Sequence, residues 1–161
     1  MYAKVLYKDD DAGHISSRIG ISADATLYTN ETDLFSLVKN RQAEHRIDAI
    51  FVDEAQFLTK EQVWQLARVA DHLDVPVLAY GLRTDFRGEL FEGSSALLAI
   101  ADSLREVRTI CECGRKATMV IRLDAEGNAA TEGDQVSIGK STYVSLCRRH
   151  WEEKMGRFPP D

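Results

Sequence analysis

The alternation of apolar and polar positions breaks most sharply at Ile47-Asp48-Ala49-Ile50-Phe51-Val52-Asp53-Glu54-Ala55-Gln56-Phe57. Ala49 to Val52 are small, β-branched or aromatic, which predicts a strand buried on both faces. Two carboxylates follow at its carboxyl end, where open α/β sheets place their ligands. Behind them Thr59-Lys60-Glu61-Gln62 reads as a capping box, and Val63, Leu66, Ala67, Ala70 and Leu73 recur at helical spacing. Upstream, Ala3 to Tyr7 suggest a short strand. Asn30 to Asp33 open a helix with Leu34, Leu37 and Val38 on one face, running polar to Arg46. Downstream, Val75 to Gly81 form the next strand, with Pro76 suited to its first position because it lacks an amide donor. A loop dense in charge and aromatics spans Gly81 to Phe91. Ser94 or Ser95 then starts a helix through Leu97, Leu98 and Ile100, and Glu106 to Ile110 make a further strand. Strands alternating with helices predict a parallel α/β sheet.

The pattern changes at Cys111. A hairpin from Ala117 to Leu123 turns at Asp124-Ala125-Glu126-Gly127-Asn128, a polar stretch reaches Lys140, and Tyr143 to His150 follow. This divides the chain into a core over 1–110, a lobe over 111–154 and a disordered tail over 155–161.

Composition narrows the picture. The 161 residues make one domain, or one with a small appendage, long enough for a real core. A net charge of −6 argues against a nucleic-acid partner, and Arg148-Arg149 is too short a patch to reverse that. No apolar run approaches the roughly 20 residues of a membrane helix, so no membrane partner is expected. Met1 to Tyr7 lack the features of a signal peptide. Three cysteines cannot pair fully and their spacing favours metal, which points to a reducing cytoplasm.

The chemistry suggested is phosphoryl transfer. Of Asp53 and Glu54, one can hold magnesium and the other can act as general base toward a substrate hydroxyl, as in a Walker B strand. The alternative is that both cap the strand and face water. Arg18 suits phosphate oxygens, or is a surface residue. Cys111-x-Cys113 and Cys147-x-x-His150 supply the four ligands of a closed, structural zinc site; the alternative is buried thiols beside an unrelated pair. A GxxxxGK[ST] phosphate loop does not occur, and Gly139-Lys140-Ser141-Thr142 is rejected because Gly133 lies one residue too far upstream.

Four stretches together resemble the thymidine kinases of the zinc-containing, cytosolic type. They are Val52 to Leu58, Tyr80 to Gly88, Cys111 to Ala117 and Tyr143 to His150, and the similarity covers nearly everything from Ser16 onward. The resemblance implies a P-loop-NTPase-like (RecA-like) parallel sheet with helices on both faces, and a zinc-ribbon-like lobe carrying a lasso loop. It implies transfer of the γ-phosphate of ATP to the 5′-hydroxyl of thymidine. In that reading Glu54 is the base, Arg18 lies near the reacting phosphate, and Asp53, Glu54, Ala55 and Gln56 bind magnesium and nucleotide. Leu82, Phe86 and Phe91 pack around the nucleoside, Val136, Ser137 and Ile138 offer backbone groups to the base, and Tyr143 closes the pocket. The resemblance also implies a homotetramer and feedback inhibition by thymidine triphosphate (dTTP). Two departures stand out: the lasso is a residue short, with Lys140-Ser141-Thr142 where a second glycine is usual, and the phosphate loop is missing. The expectation is that the sequence omits an N-terminal or internal stretch of strand, loop and helix. The 161 residues alone are expected to bind nucleoside without transferring phosphate. The alternative is a non-catalytic module that binds thymidine, dTTP or partner chains around a structural zinc.

Overall fold

A strand begins almost at once in a computed structural model that describes residues 2–5, 14–16, 22–135 and 142–157. Strand β1 (Tyr2–Val5) pairs in parallel with β4 (Thr26–Tyr28) on one side and β5 (Ile50–Asp53) on the other. β6 (Val77–Ala79) extends the sheet, giving the order β4-β1-β5-β6 with every pairing parallel. β2 (His14–Ser16) and β3 (Ser22–Asp24) form a separate antiparallel pair. The chain divides into two compact units, Met1–Arg83 with Phe91–Ala101, and Thr84–Leu90 with Asp102–Asp161.

In the first unit, Asp33 caps α1 (Leu34–Glu44) by accepting from the Ser36 amide at 3.0 Å. Thr59 and Gln62 form the expected capping box of α2 (Lys60–Leu73). Gln62 is itself buried and also donates to the carbonyls of Thr29 and Thr32 at 2.7 and 3.1 Å, tying the start of α2 to the segment ahead of α1. The fully buried apolar residues of α2 are Val63, Leu66 and Val69, while Ala67, Ala70 and Leu73 of the expected face are partly buried; Val69 is the core position outside that expected set. α3 (Glu92–Ile100) starts two residues before Ser94, with Phe91 at its N-cap. The Ser94 hydroxyl donates instead to the Leu82 carbonyl at 2.6 Å.

Ile50 and Val52 join Leu34, Val38, Val63, Leu66, Val69 and Ala96 in one apolar cluster. All three helices thus contribute to the core on one side of β5. The other side of the strand is only half covered among the described residues: Phe51 stacks on Tyr80, and Leu78 and Tyr80 are exposed. Burial of β5 on both faces is therefore corrected to full burial on one. Alternate strand residues point to opposite faces, and only Ile50 and Val52 meet the helices.

The expected strand over Glu106 to Ile110 shortens to β7 (Thr109–Ile110), which pairs with β8 (Lys116–Ala117) across the Cys111 turn rather than joining the parallel sheet. Val107 and Ile110 are exposed, so an apolar residue here does not mark a core position. β9 (Met119–Leu123) pairs along its whole length with β10 (Thr142–Leu146). The turn at Asp124 to Asn128 does return the chain, but only as the single bridge Leu123–Ala129. α4 (Arg148–Lys154) closes the unit, whose core is Cys111, Ala117, Ile121, Leu146, Cys147, Trp151 and Met155. Contacts continue through Arg157, whose guanidinium lies over Trp151, past the point where the sequence suggested a tail. No described helix is long and apolar enough to cross a membrane.

Candidate functional site

β5 delivers Asp53 to the carboxyl edge of the sheet, and the backbone turns sharply at the next residue. Glu54 has φ 52° and ψ 38°, the left-handed region. A non-glycine residue there costs roughly 1–3 kcal/mol and persists only where its surroundings hold it. They do so here. The Glu54 amide donates to Asp53 Oδ1 at 3.0 Å, Gln56 Nε2 donates to the Glu54 carboxylate, and the Ala55 amide donates to the Tyr80 carbonyl at 2.8 Å. A 3₁₀ turn, Ala55–Phe57, then leads to α2.

Gln56 is buried and works in two directions, because its Oε1 accepts from the Leu82 amide at 3.0 Å. Room for that bond depends on Gly81, where a Cβ would sit 2.4 Å from Gln56 Oε1 and 2.9 Å from its amide. Gly93 plays the same part for α3: a Cβ there would meet the Ala55, Leu58 and Gln56 carbonyls at 2.5, 2.7 and 2.9 Å. Phe91 is buried edge-on against Phe57 at 5.6 Å, while Leu82 is 48% exposed. Asp53, Glu54, Ala55, Gln56 and Leu82 are thus brought together by one hydrogen-bonded turn.

Tyr28 was not singled out from the sequence. It ends β4, is buried, and its hydroxyl has no hydrogen-bond partner among the described residues. Burial first, and then the charges of Asp53 and Glu54, push its pKa well above the usual phenol value. It remains a neutral hydroxyl near two carboxylates.

In the second unit, the loop Thr84–Leu90 closes around a buried carboxylate. Asp85 Oδ1 accepts from the Arg87 and Glu89 amides, both at 2.9 Å, and Oδ2 accepts from the Arg87 guanidinium at 3.1 Å. Trp151 Nε1 donates to the carbonyls of Phe86 and Val120 at 3.0 and 3.1 Å, so α4 holds this loop in place. Phe86 is buried and Tyr143 is 46% exposed on β10.

The four metal-type ligands also meet. Atoms of Cys111, Cys113, Cys147 and His150 all lie within 4.8 Å of one another. The knuckle forms because Gly114, at φ 79°, lets its amide donate back to the Cys111 carbonyl at 2.8 Å. The other pair sits where β10 passes into α4, with Cys147 as its N-cap. Cys113 and Cys147 sulfurs are 3.8 Å apart, about the edge of a tetrahedron with zinc–sulfur bonds of ~2.3 Å. Cys111 Sγ lies 3.3 Å from His150 Nδ1, and Glu153 stands 3.9 Å from the ring's other nitrogen. The amides of Cys113 and Cys147, with His150 beside them, lower the Cys111 thiol to about 6. Three thiols, one of them readily ionised, and an imidazole at these separations fit a four-coordinate metal.

Arg18, Val136, Ser137 and Ile138 lie outside the described residues. The sequence matches the thymidine kinase family model over residues 3–151. It is 63% identical over 155 residues to a thymidine kinase of Mesorhizobium japonicum, covering 96% of this chain and 76% of that protein. A thymidine kinase of Ruegeria pomeroyi is 64% identical over 89% of this chain and 73% of its own length. One from Rhizobium meliloti is 60% identical over 91% of this chain and 78% of its own. With the matched segment spanning most of the chain, the protein belongs to the thymidine kinase family.

Proposed function

We propose that the protein transfers the γ-phosphate of ATP to the 5′-hydroxyl of thymidine. The hydroxyl oxygen attacks the γ-phosphorus, the bond to the β-phosphate oxygen breaks, ADP leaves, and the hydroxyl proton passes to Glu54. Asp53 would hold magnesium directly or through water, Ala55 and Gln56 would border the nucleotide, and Arg18 would balance charge on the phosphoryl group in flight. Magnesium, when bound with ATP, neutralises the phosphate oxygens. Leu82, Phe86, Phe91 and Tyr143 pack the nucleoside, and Val136, Ser137 and Ile138 meet the base through backbone groups.

The observation that carries this reading is the Gln56 side chain. It hydrogen-bonds the Glu54 carboxylate at one end and the Leu82 amide at the other. The base and a residue of the nucleoside wall therefore keep a fixed relation, which is what an in-line transfer needs.

Zinc at Cys111, Cys113, Cys147 and His150 is structural in this account, because a closed set of four protein ligands leaves no position for substrate. The same reading includes a P-loop-type sheet covered on both faces, a core over 1–110 with a zinc lobe and lasso over 111–154, a homotetramer, dTTP inhibition and a cytoplasmic setting. Incubating the full-length protein with thymidine, magnesium and ATP labelled in the γ-phosphate tests the reaction. Labelled thymidine monophosphate is the expected product. Thymidine bound without label transfer would favour a non-catalytic binding module.

A further inference from the structure

The apolar strand β9 contains one charge, Arg122, and that charge is only 9% exposed. A buried guanidinium needs partners, and three surround it. Its plane covers the Phe86 ring, with Cζ 4.0 Å from the centroid, a cation–π contact. Nη1 donates to the Asp134 carbonyl at 2.8 Å and Nη2 to the Glu132 carbonyl at 3.0 Å. The fork thus closes on two carbonyls that flank Gly133. Gly133 has φ 113°, and a Cβ on it would stand 2.6 Å from Nη2, so the approach needs a glycine on both counts. Across the strand pair, Arg122 lies directly opposite Tyr143, and opposed residues share a face.

We infer that Arg122 is a positioning residue for nucleoside binding, clamping the backbone at Glu132 and Asp134 against the Phe86 ring beside Tyr143. The inference rests on the thymidine kinase reading above, in which Phe86 and Tyr143 serve the nucleoside. Arg122 touches Phe86 of that set directly, lies opposite Tyr143 on the strand pair, and joins both to the backbone at Glu132 and Asp134 through one rigid planar group. Lysine cannot reproduce this, since an ammonium carries no fork. Arg122 does not approach the reacting phosphate in this role, so its effect belongs to thymidine affinity and not to ATP.

The test uses the full-length protein as wild type, Arg122→Met, Arg122→Lys and Gly133→Ala, the last leaving the arginine intact while displacing its fork. Two readouts are compared: hydrogen exchange of peptides covering 84–90 and 130–135, and steady-state kinetics with thymidine and ATP varied separately. Arg122→Met and Gly133→Ala should speed exchange in both peptides while the β9–β10 peptides stay protected. Each should raise the thymidine KM roughly tenfold, the scale of one or two lost hydrogen bonds from a charged donor, with Arg122→Lys between them and wild type. The KM for ATP should stay within about twofold. Unchanged exchange in the two peptides overturns the clamp, whether or not the protein acts on thymidine. Faster exchange with an unchanged thymidine KM, or with thymidine and ATP KM rising in parallel, overturns the positioning role. A wild-type protein that neither binds nor phosphorylates thymidine refutes the kinase reading and the nucleoside role together, and the exchange data then report on the clamp alone.

Discussion

The Gln56 side-chain oxygen accepts a hydrogen bond from the Leu82 amide at 3.0 Å, joining the turn after β5 to the loop after β6. Both partners are internal to the first unit, and Gln56 is only 2% exposed. Replacing Gln56 with Leu keeps the volume but leaves the Leu82 amide and the Glu54 carboxylate without this partner. A loss of about 1–3 kcal/mol of stability is expected, the cost of orphaned polar groups. Denaturant titration checks it, and turnover should fall further than stability alone explains.

Gly93 lets α3 rest backbone to backbone on the 3₁₀ turn, with three carbonyls within 2.9 Å of a would-be Cβ. Gly93→Ala therefore overpacks a site that flexible side chains cannot relieve. About 1–3 kcal/mol of destabilisation is expected, read as a lower midpoint in thermal or denaturant unfolding. A neutral result would mean that α3 moves away from the turn at little cost.

The pH dependence of the Cys111, Cys113, Cys147 and His150 cluster has a defined sign. The folded-state pKa of Cys111 is lowered to about 6, below the ordinary thiol value. Its thiolate therefore contributes stability that is complete above the ordinary thiol value and is lost as pH falls through about 6. Protons also compete with metal for the sulfur. Zinc retention measured across a pH series should drop as the pH falls below about 6, and the second unit should unfold more easily there. Cys147→Ser should abolish stoichiometric zinc and loosen the Trp151 anchor of the Thr84–Leu90 loop, since Trp151 lies in the helix that Cys147 caps.

Thr59 offers a smaller test. Its hydroxyl accepts from the Gln62 amide at 3.2 Å, and Gln62 Oε1 accepts from the Thr59 amide at 3.2 Å. Thr59→Ala should cost about 1 kcal/mol, and urea unfolding is sensitive enough to detect it.

What the sequence disclosed follows from the range of the interactions involved. The capping box, the strand ending in Asp53 and Glu54, and the pairing of two Cys knuckles depend on neighbours a few residues apart. Each is legible from spacing. Arg122 could be noticed as the lone charge in Met119-Val120-Ile121-Arg122-Leu123, but its partners at Phe86, Glu132 and Asp134 are tertiary. Tyr28 became visible only once β1 had paired with β4 on one side and β5 on the other, bringing Tyr28 under the charges of Asp53 and Glu54. The strand expected over Glu106 to Ile110 failed for the same reason in reverse. Its apolar residues have exposed positions, and only two residues find a pairing partner, in β8. Ser94 looked like a helix cap by residue type, yet its hydroxyl serves the Leu82 carbonyl.

The most direct test of the account is Glu54→Gln in the full-length protein, assayed for thymidine phosphorylation beside calorimetric binding of thymidine. Glutamine keeps the shape of the side chain but cannot take the 5′-hydroxyl proton. The account predicts a fall in kcat of roughly 10²–10⁴-fold, the usual worth of a positioned general base, with thymidine affinity nearly unchanged. Turnover close to wild type in a folded Glu54→Gln protein would contradict it and remove Glu54 from the chemistry.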